Sequence, residues 1–177
     1  MPGLAPGERP DAMAAHLHVG WDEYNAAIER LAAGIRDSRW EFNQIVCVAR
    51  GGLRVGDVLS RLFRLPLAII ATQSYTGEAG TARGEISVAR YITMTTETLG
   101  DHVLLVDDLV DSGITLGVVR RHLLGEYPGI KAVRTAVIWY KGCSSYVPDF
   151  YASYLPESPW IHQPFEKYDA MTPADLG

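Results

Sequence analysis

A chain of 177 residues is about one domain's worth of sequence, long enough to bury roughly 70% of its unfolded surface without disulfide or metal staples. Hydrophobic residues make up 47% and charged residues 21%, and 16 basic against 21 acidic side chains leave a formal charge of −5. Disordered, collagen-like and coiled-coil chains are thereby excluded, and no basic footprint for duplex nucleic acid is present.

Residues 1–15 hold three prolines and two glycines with no basic region ahead of an apolar stretch. They read as a loose tail rather than a secretion signal, and 16–177 as a single domain. Trp21-Asp22 is expected to cap a helix that ends near Ser38, with Tyr24, Ala27, Ile28, Leu31, Ala32 and Ile35 on its apolar face. Gln44 to Val48 is a buried-strand candidate, followed by an Arg50-Gly51-Gly52 turn and a helical pattern through Val55, Val58, Leu59 and Leu62. A second apolar strand runs from Leu67 to Ala71. The polar stretch from Gln73 to Glu85 carries three glycines and nothing that anchors a core. Ile86 to Ile92 alternates as a strand would, so that 73–90 is expected to form a flap.

Val103 to Val106 is the clearest strand and ends abruptly in Asp107-Asp108, with a helix over Leu116 to Leu124 and another strand over Val133 to Trp139. This alternation predicts an α/β fold with a mainly parallel sheet and helices on both faces. Four prolines and several aromatics between Val147 and Phe165 predict an irregular C-terminal cap, about 141–169, rather than another strand and helix. No apolar run approaches the about 20 residues of a membrane span.

Ligands of open parallel sheets sit beyond the carboxyl ends of the strands. The strongest such turn is Asp107-Asp108-Leu109-Val110-Asp111-Ser112-Gly113-Ile114-Thr115, which leads straight into a helix. Small and hydroxyl-bearing residues let the backbone wrap an anion, and the helix start offers free amides and partial positive charge. Capping by Asp111 or Ser112 alone leaves the two preceding carboxylates unexplained. Side by side in a partly dry cleft those acids repel, and a ribose diol or a hydrated cation would compensate them.

Val103 to Thr115 resembles the phosphoribosyl diphosphate motif of the type I phosphoribosyltransferases, and the chain from about Trp21 to Asp169 is closest to the branch that salvages 6-oxopurines. The resemblance implies that Asp107 and Asp108 engage the ribose hydroxyls and the metal, and that Asp111, Ser112, Gly113, Ile114 and Thr115 bind the 5′-phosphate. Asp111 would also be the general base near purine N7. Ile114 replaces a glycine that many members carry. Arg50 and Gly51 match the pyrophosphate loop, which in the family often contains a cis peptide. Ser74, Tyr75, Arg83 and Arg90 belong to the matching flap, the arginines as pyrophosphate contacts. Lys141 matches the donor to the purine 6-oxygen, Trp160 the ring that stacks on the base and Ile161 a backbone contact. Glu166 stands where relatives often have aspartate, as a metal ligand acting through water.

The expected activity is Mg2+-dependent transfer of a 5-phosphoribosyl group from phosphoribosyl diphosphate to hypoxanthine, guanine or xanthine, by a cytoplasmic homodimer or homotetramer that needs neither nucleic acid nor membrane. Adenine or a pyrimidine as acceptor, and a non-catalytic sensor of phosphoribosyl diphosphate or nucleotides, are the alternatives. The two cysteines fall in no zinc-like spacing and fit a reducing compartment; Cys47 reads as inert core and Cys143 as an exposed thiol without an activating neighbour. His16, His18, His102, His122 and His162 lie apart with no H-x-x-x-H pattern, which argues against a zinc site.

Overall fold

The computed structural model describes residues 15–74 and 86–176. Its nine strands are β1 (His16–His18), β2 (Gln44–Ala49), β3 (Leu67–Ser74), β4 (Ile86–Val88), β5 (His102–Val106), β6 (Leu109–Val110), β7 (Ala132–Lys141), β8 (Phe150–Leu155) and β9 (Trp160–His162). Three α-helices, α1 (Trp21–Asp37), α2 (Gly52–Phe63) and α3 (Ile114–Glu126), and two 3-10 turns at Glu166–Ala170 and Pro173–Asp175 complete the described elements.

The main sheet runs β4-β3-β2-β5-β7, with β6 and β8 on β7's two flanks, and every pairing in it is parallel except β3 with β4. Alternation along β2, β5 and β7 splits the core into two layers. Ile45, Cys47, Leu104, Val106, Ala136 and Ile138 face α1 and α2, whereas Val46, Val48, Val103, Leu105, Val133 and Val137 face α3. Helices therefore cover both faces, as the alternation of elements predicts. The six apolar positions read on α1 are all buried, and burial pushes the Cys47 thiol up to about 11. Gly20 rather than Trp21 or Asp22 is the residue that precedes the first turn of α1.

Three sequence expectations are corrected. The stretch after Val147 holds strand β8, which extends the sheet: Ala136 pairs with Phe150 and Lys141 with Leu155. Its apolar residues are only half-buried, because β8 has no neighbour on its far side among the described residues, and so the stretch lacks the signature of an interior strand. Second, the strand expected over Ile86 to Ile92 stops at Val88, and Thr93 alone bridges back to Ile69. Third, Leu62 is 57% exposed: it borders a surface groove between α1 and α2, beside Glu29, Ala32, Ala33 and Arg36. Of the expected flap, Tyr75 and Arg83 lie outside the described residues, as does 1–14 of the expected tail.

One further pairing joins two segments far apart in sequence. β1 and β9 form a separate parallel ladder in which Leu17 stands opposite Ile161 and His18 opposite His162. Leu17 and Ile161 pack on the α1 side of the core, which ties the C-terminal cap to the start of the domain.

Candidate active site

β5 and β6 are one strand interrupted by the acid pair. Val106 pairs with Ala136 and Leu109 with Trp139, so the register along β7 is kept across the interruption. The Asp107 amide donates to the Ala136 carbonyl at 3.1 Å, and the Ile138 amide to the Asp108 carbonyl at 2.9 Å. Both bonds run to β7 and hold the backbone of the acid pair in line with the sheet.

Asp107 is 9% exposed. Burial first, and then the charge of Asp108, hold its carboxyl well above the usual carboxylate range, against the pull of the Asp108 amide at 3.0 Å. Burial also raises Asp108. Gln163 opposes that rise through Nε2, which donates to Asp108 Oδ2 at 2.5 Å, as does the Leu109 amide, which donates to Oδ1 at 2.7 Å. Gly51 completes the enclosure: a Cβ there would stand 2.5 Å from Asp108 Oδ1. The Ala49–Arg50 peptide bond is cis.

Downstream, Asp111, Ser112, Gly113 and Thr115 and the acid pair line a hollow of about 150 Å³ at the amino end of α3. Gly113 has φ +83°, and a Cβ there would strike Tyr146, so the turn requires glycine both for its backbone and for its space. Ile114 is the first residue of the helix, and the positive φ therefore falls on the residue before it. Ser145 grips the loop from outside, its amide 3.2 Å and its hydroxyl 3.0 Å from the Ser112 carbonyl. Amides at a helix start beside a small hollow are an arrangement that suits an anion.

Beside the hollow, the end of β7 delivers Lys141. Its side chain is 7% exposed and its Nζ lies 3.5 Å from Asp111 Oδ1. The same Nζ is 5.9 Å from the centre of the Trp160 ring, which stays 59% exposed. Cys143, read from sequence as an exposed thiol without an activating neighbour, donates its thiol to Asp111 Oδ1 at 3.2 Å. Ile161 is core, and the ladder bonds flanking it use the Trp160 amide and the His162 carbonyl. On the other side of the acid pair, a cleft of about 530 Å³ is bordered by Arg50, Gly51, Asp108, Gln163, Glu166 and Asp169. Arg50 reaches into it, 88% exposed and 3.6 Å from Asp169. Arg90 lies elsewhere, its guanidinium 5.4 Å from the Tyr91 ring, and Ser74 pairs through its backbone with Ile86.

Two participants were not singled out from sequence. Gln163 is 5% exposed and reaches Asp108 across 55 residues of chain. Tyr24 sits in α1 with its hydroxyl buried and unpartnered among the described residues, and burial together with the Asp108 charge pushes its pKa upward. Helical spacing marks Tyr24 as core, and nothing local distinguishes it from its apolar neighbours. Trp21 and Phe165 hold the Arg54 guanidinium between them, 4.8 and 5.3 Å from the two ring centres.

A family model described as phosphoribosyl transferase domain matches residues 20–170. A xanthine-guanine phosphoribosyltransferase of Gluconobacter oxydans (strain 621H) is 31% identical over 156 residues, which cover 88% of this chain and 87% of that protein. Among solved structures, a purine phosphoribosyltransferase from Pyrococcus horikoshii Ot3 superposes with a TM-score of 0.68 at 30% identity, covering 85% of this chain and 93% of that one. The Helicobacter pylori xanthine-guanine-hypoxanthine phosphoribosyltransferase shares the fold, with a TM-score of 0.70 at 24% identity over 91% and 97% of the two chains.

Proposed function

We propose that this chain, which belongs to the phosphoribosyl transferase domain family, transfers a 5-phosphoribosyl group from phosphoribosyl diphosphate to N9 of hypoxanthine, guanine or xanthine and releases pyrophosphate. Lys141 carries the choice of base. Its buried ammonium has Asp111 as its one carboxylate partner among the described residues. An ammonium donates and never accepts, so it favours a carbonyl oxygen at purine position 6 and opposes the amino group of adenine. Trp160 offers the base an aromatic face beside that donor. Asp111, touching both Lys141 and the Cys143 thiol, holds or takes the proton at N7.

The sugar is divided among the remaining groups. Amides at the start of α3 hold the 5′-phosphate, and the Asp107 and Asp108 carboxylates accept from the ribose hydroxyls while positive charge develops on the ring. The Arg50 guanidinium, exposed in its cleft, meets the departing pyrophosphate. Asp107 and Asp108, with Glu166 through water, are the residues that would hold Mg2+. Their chemistry suits it: two oxygen-bearing acids whose burial opposes ionisation are relieved by a hard divalent cation. When bound, the ion neutralises charge on the diphosphate. Ser74, Tyr75, Arg83 and Arg90 are assigned to the flap that excludes water from the ribosyl cation.

Pyrophosphate release, measured with each free base in the presence of Mg2+, tests this reading. Turnover is expected with at least one of the three oxopurines, not with adenine or uracil, and is lost when EDTA removes the metal. Turnover with adenine or a pyrimidine alone overturns the assignment of the base. Binding of phosphoribosyl diphosphate with no release under any base overturns catalysis and favours a sensor. Lys141→Ala is expected to lower kcat/KM for the oxopurine ~100-fold and Asp111→Ala to lower kcat by 10²–10⁴-fold, on the order seen for such contacts.

A further inference from the structure

Arg54 stands in the first turn of α2 and is exposed, while Val55, Gly56 and Leu59 beside it are buried. That turn holds no acidic residue, and its arginine sits where the partial positive charge of a helix start opposes a cation. What holds it there is aromatic. The centre of its guanidinium lies 4.8 Å from the centre of the Trp21 ring, supplied by α1, and 5.3 Å from that of Phe165, supplied by the cap. A ring face attracts the charge but offers no oxygen lone pair, so the clamp places the guanidinium without using up its N–H donors. Among the described residues, no carboxylate forms an ion pair with it.

Arg54 borders the same cleft of about 530 Å³ as Arg50, and Asp108, Glu166 and Asp169 also line it. Arg50 is drawn to Asp169 at 3.6 Å, which leaves Arg54 as the cation of this cleft with no acid beside it among the described residues. We propose that Arg54 is a second cationic contact for the diphosphate group, both in phosphoribosyl diphosphate and in released pyrophosphate, with Trp21 and Phe165 as its positioning residues. The assignment rests on the reading of this cleft as the pyrophosphate side of the site. A planar fork of donors suits phosphate oxygens, and a guanidinium already held between two rings loses less freedom on binding than a solvated one. The group it grips is the same before and after the glycosidic bond breaks. Such a contact binds ground state and transition state alike, so it acts on KM rather than on kcat.

The test is calorimetric titration of the full chain, in Mg2+, with pyrophosphate, with phosphoribosyl diphosphate and with guanosine 5′-monophosphate, which lacks the diphosphate. Arg54→Gln is expected to weaken the first two roughly tenfold or more and to leave the third within about twofold. In steady-state assays it is expected to raise KM for phosphoribosyl diphosphate by a similar factor, with kcat and the KM for the purine little changed. Trp21→Leu, which removes one wall and keeps the charge, is expected to weaken pyrophosphate by a smaller factor and to spare the monophosphate. Undiminished binding of pyrophosphate by Arg54→Gln, or equal weakening of all three ligands in both variants, as a purely structural clamp would give, overturns the proposal. Direct titration keeps this apart from turnover. A parent chain that binds pyrophosphate but releases none with any base overturns the catalytic reading and leaves the Arg54 contact standing, whereas unchanged binding in Arg54→Gln beside normal turnover of the parent overturns the contact alone.

Discussion

Asp108 shows how much of a site's chemistry is decided by single neighbours. Gln163 and the Leu109 amide each hold one of its oxygens, and the bare face of Gly51 closes over it. A methyl group at Gly51 meets the carboxylate head-on, and the carboxylate, fixed from two sides, cannot retreat. Gly51→Ala is therefore expected to keep the fold, seen as unchanged circular dichroism, and to lower kcat/KM for phosphoribosyl diphosphate ~100-fold, the scale of an ångström's misplacement at a reacting centre. The placing of Asp107, Asp108 and Asp111 between the end of β5 and the start of α3 was legible from sequence, because acids after an apolar run stand out locally. Gln163 was not, since a glutamine among prolines and aromatics acquires its role only when β9 brings it to an acid 55 residues away.

Among the elements, β8 is the instructive one. It is held at its start by Asp149, whose Oδ2 accepts from the Thr135 amide at 2.8 Å and from the Thr135 hydroxyl at 2.9 Å, while the Asp149 amide donates back to that hydroxyl at 3.1 Å. Thr135 is fully buried. Removing the carboxylate strands a buried amide and hydroxyl, so Asp149→Ala is expected to cost about 1–3 kcal/mol in urea unfolding, with Asp149→Asn recovering much of the loss. Strands β2, β5 and β7 were legible because both their faces are buried, which forces continuous apolar runs. β8 lies outermost and is half-exposed, and β1, β6 and β9 have two or three residues each, too few for a period to register.

For the molecule as a whole, the acid pair sets function against stability. A carboxyl whose pKa is raised by folding binds its proton more tightly in the native state than in the unfolded chain. The unliganded fold is penalised above that raised value and gains stability as pH falls through it towards the ordinary carboxylate range. Asp101 acts in the opposite sense: His102 first, then Lys131 and Asn43, hold its carboxyl below the usual range, and its contribution is lost on acidification. Asp107→Asn removes the larger burden. It is expected to abolish turnover yet raise the Tm of the unliganded chain at pH 7.5 by roughly 2–4 °C, the shift produced by about 1 kcal/mol in a chain of this size. The gain is expected to shrink as scanning calorimetry is taken to lower pH.

Local chemistry was sufficient for the α/β class, the three principal strands and the acid-rich turn ahead of α3, because each rests on residues adjacent in sequence whose burial or backbone freedom is encoded where they stand. Tertiary structure alone decided which groups meet across the chain: Gln163 with Asp108, Lys141 and Cys143 with Asp111, and the three histidines with one another. Parallel pairing imposes this division. It sets strand ends side by side through long crossovers, so contacts at the mouth of the sheet join residues whose separation in sequence carries no trace of their separation in space.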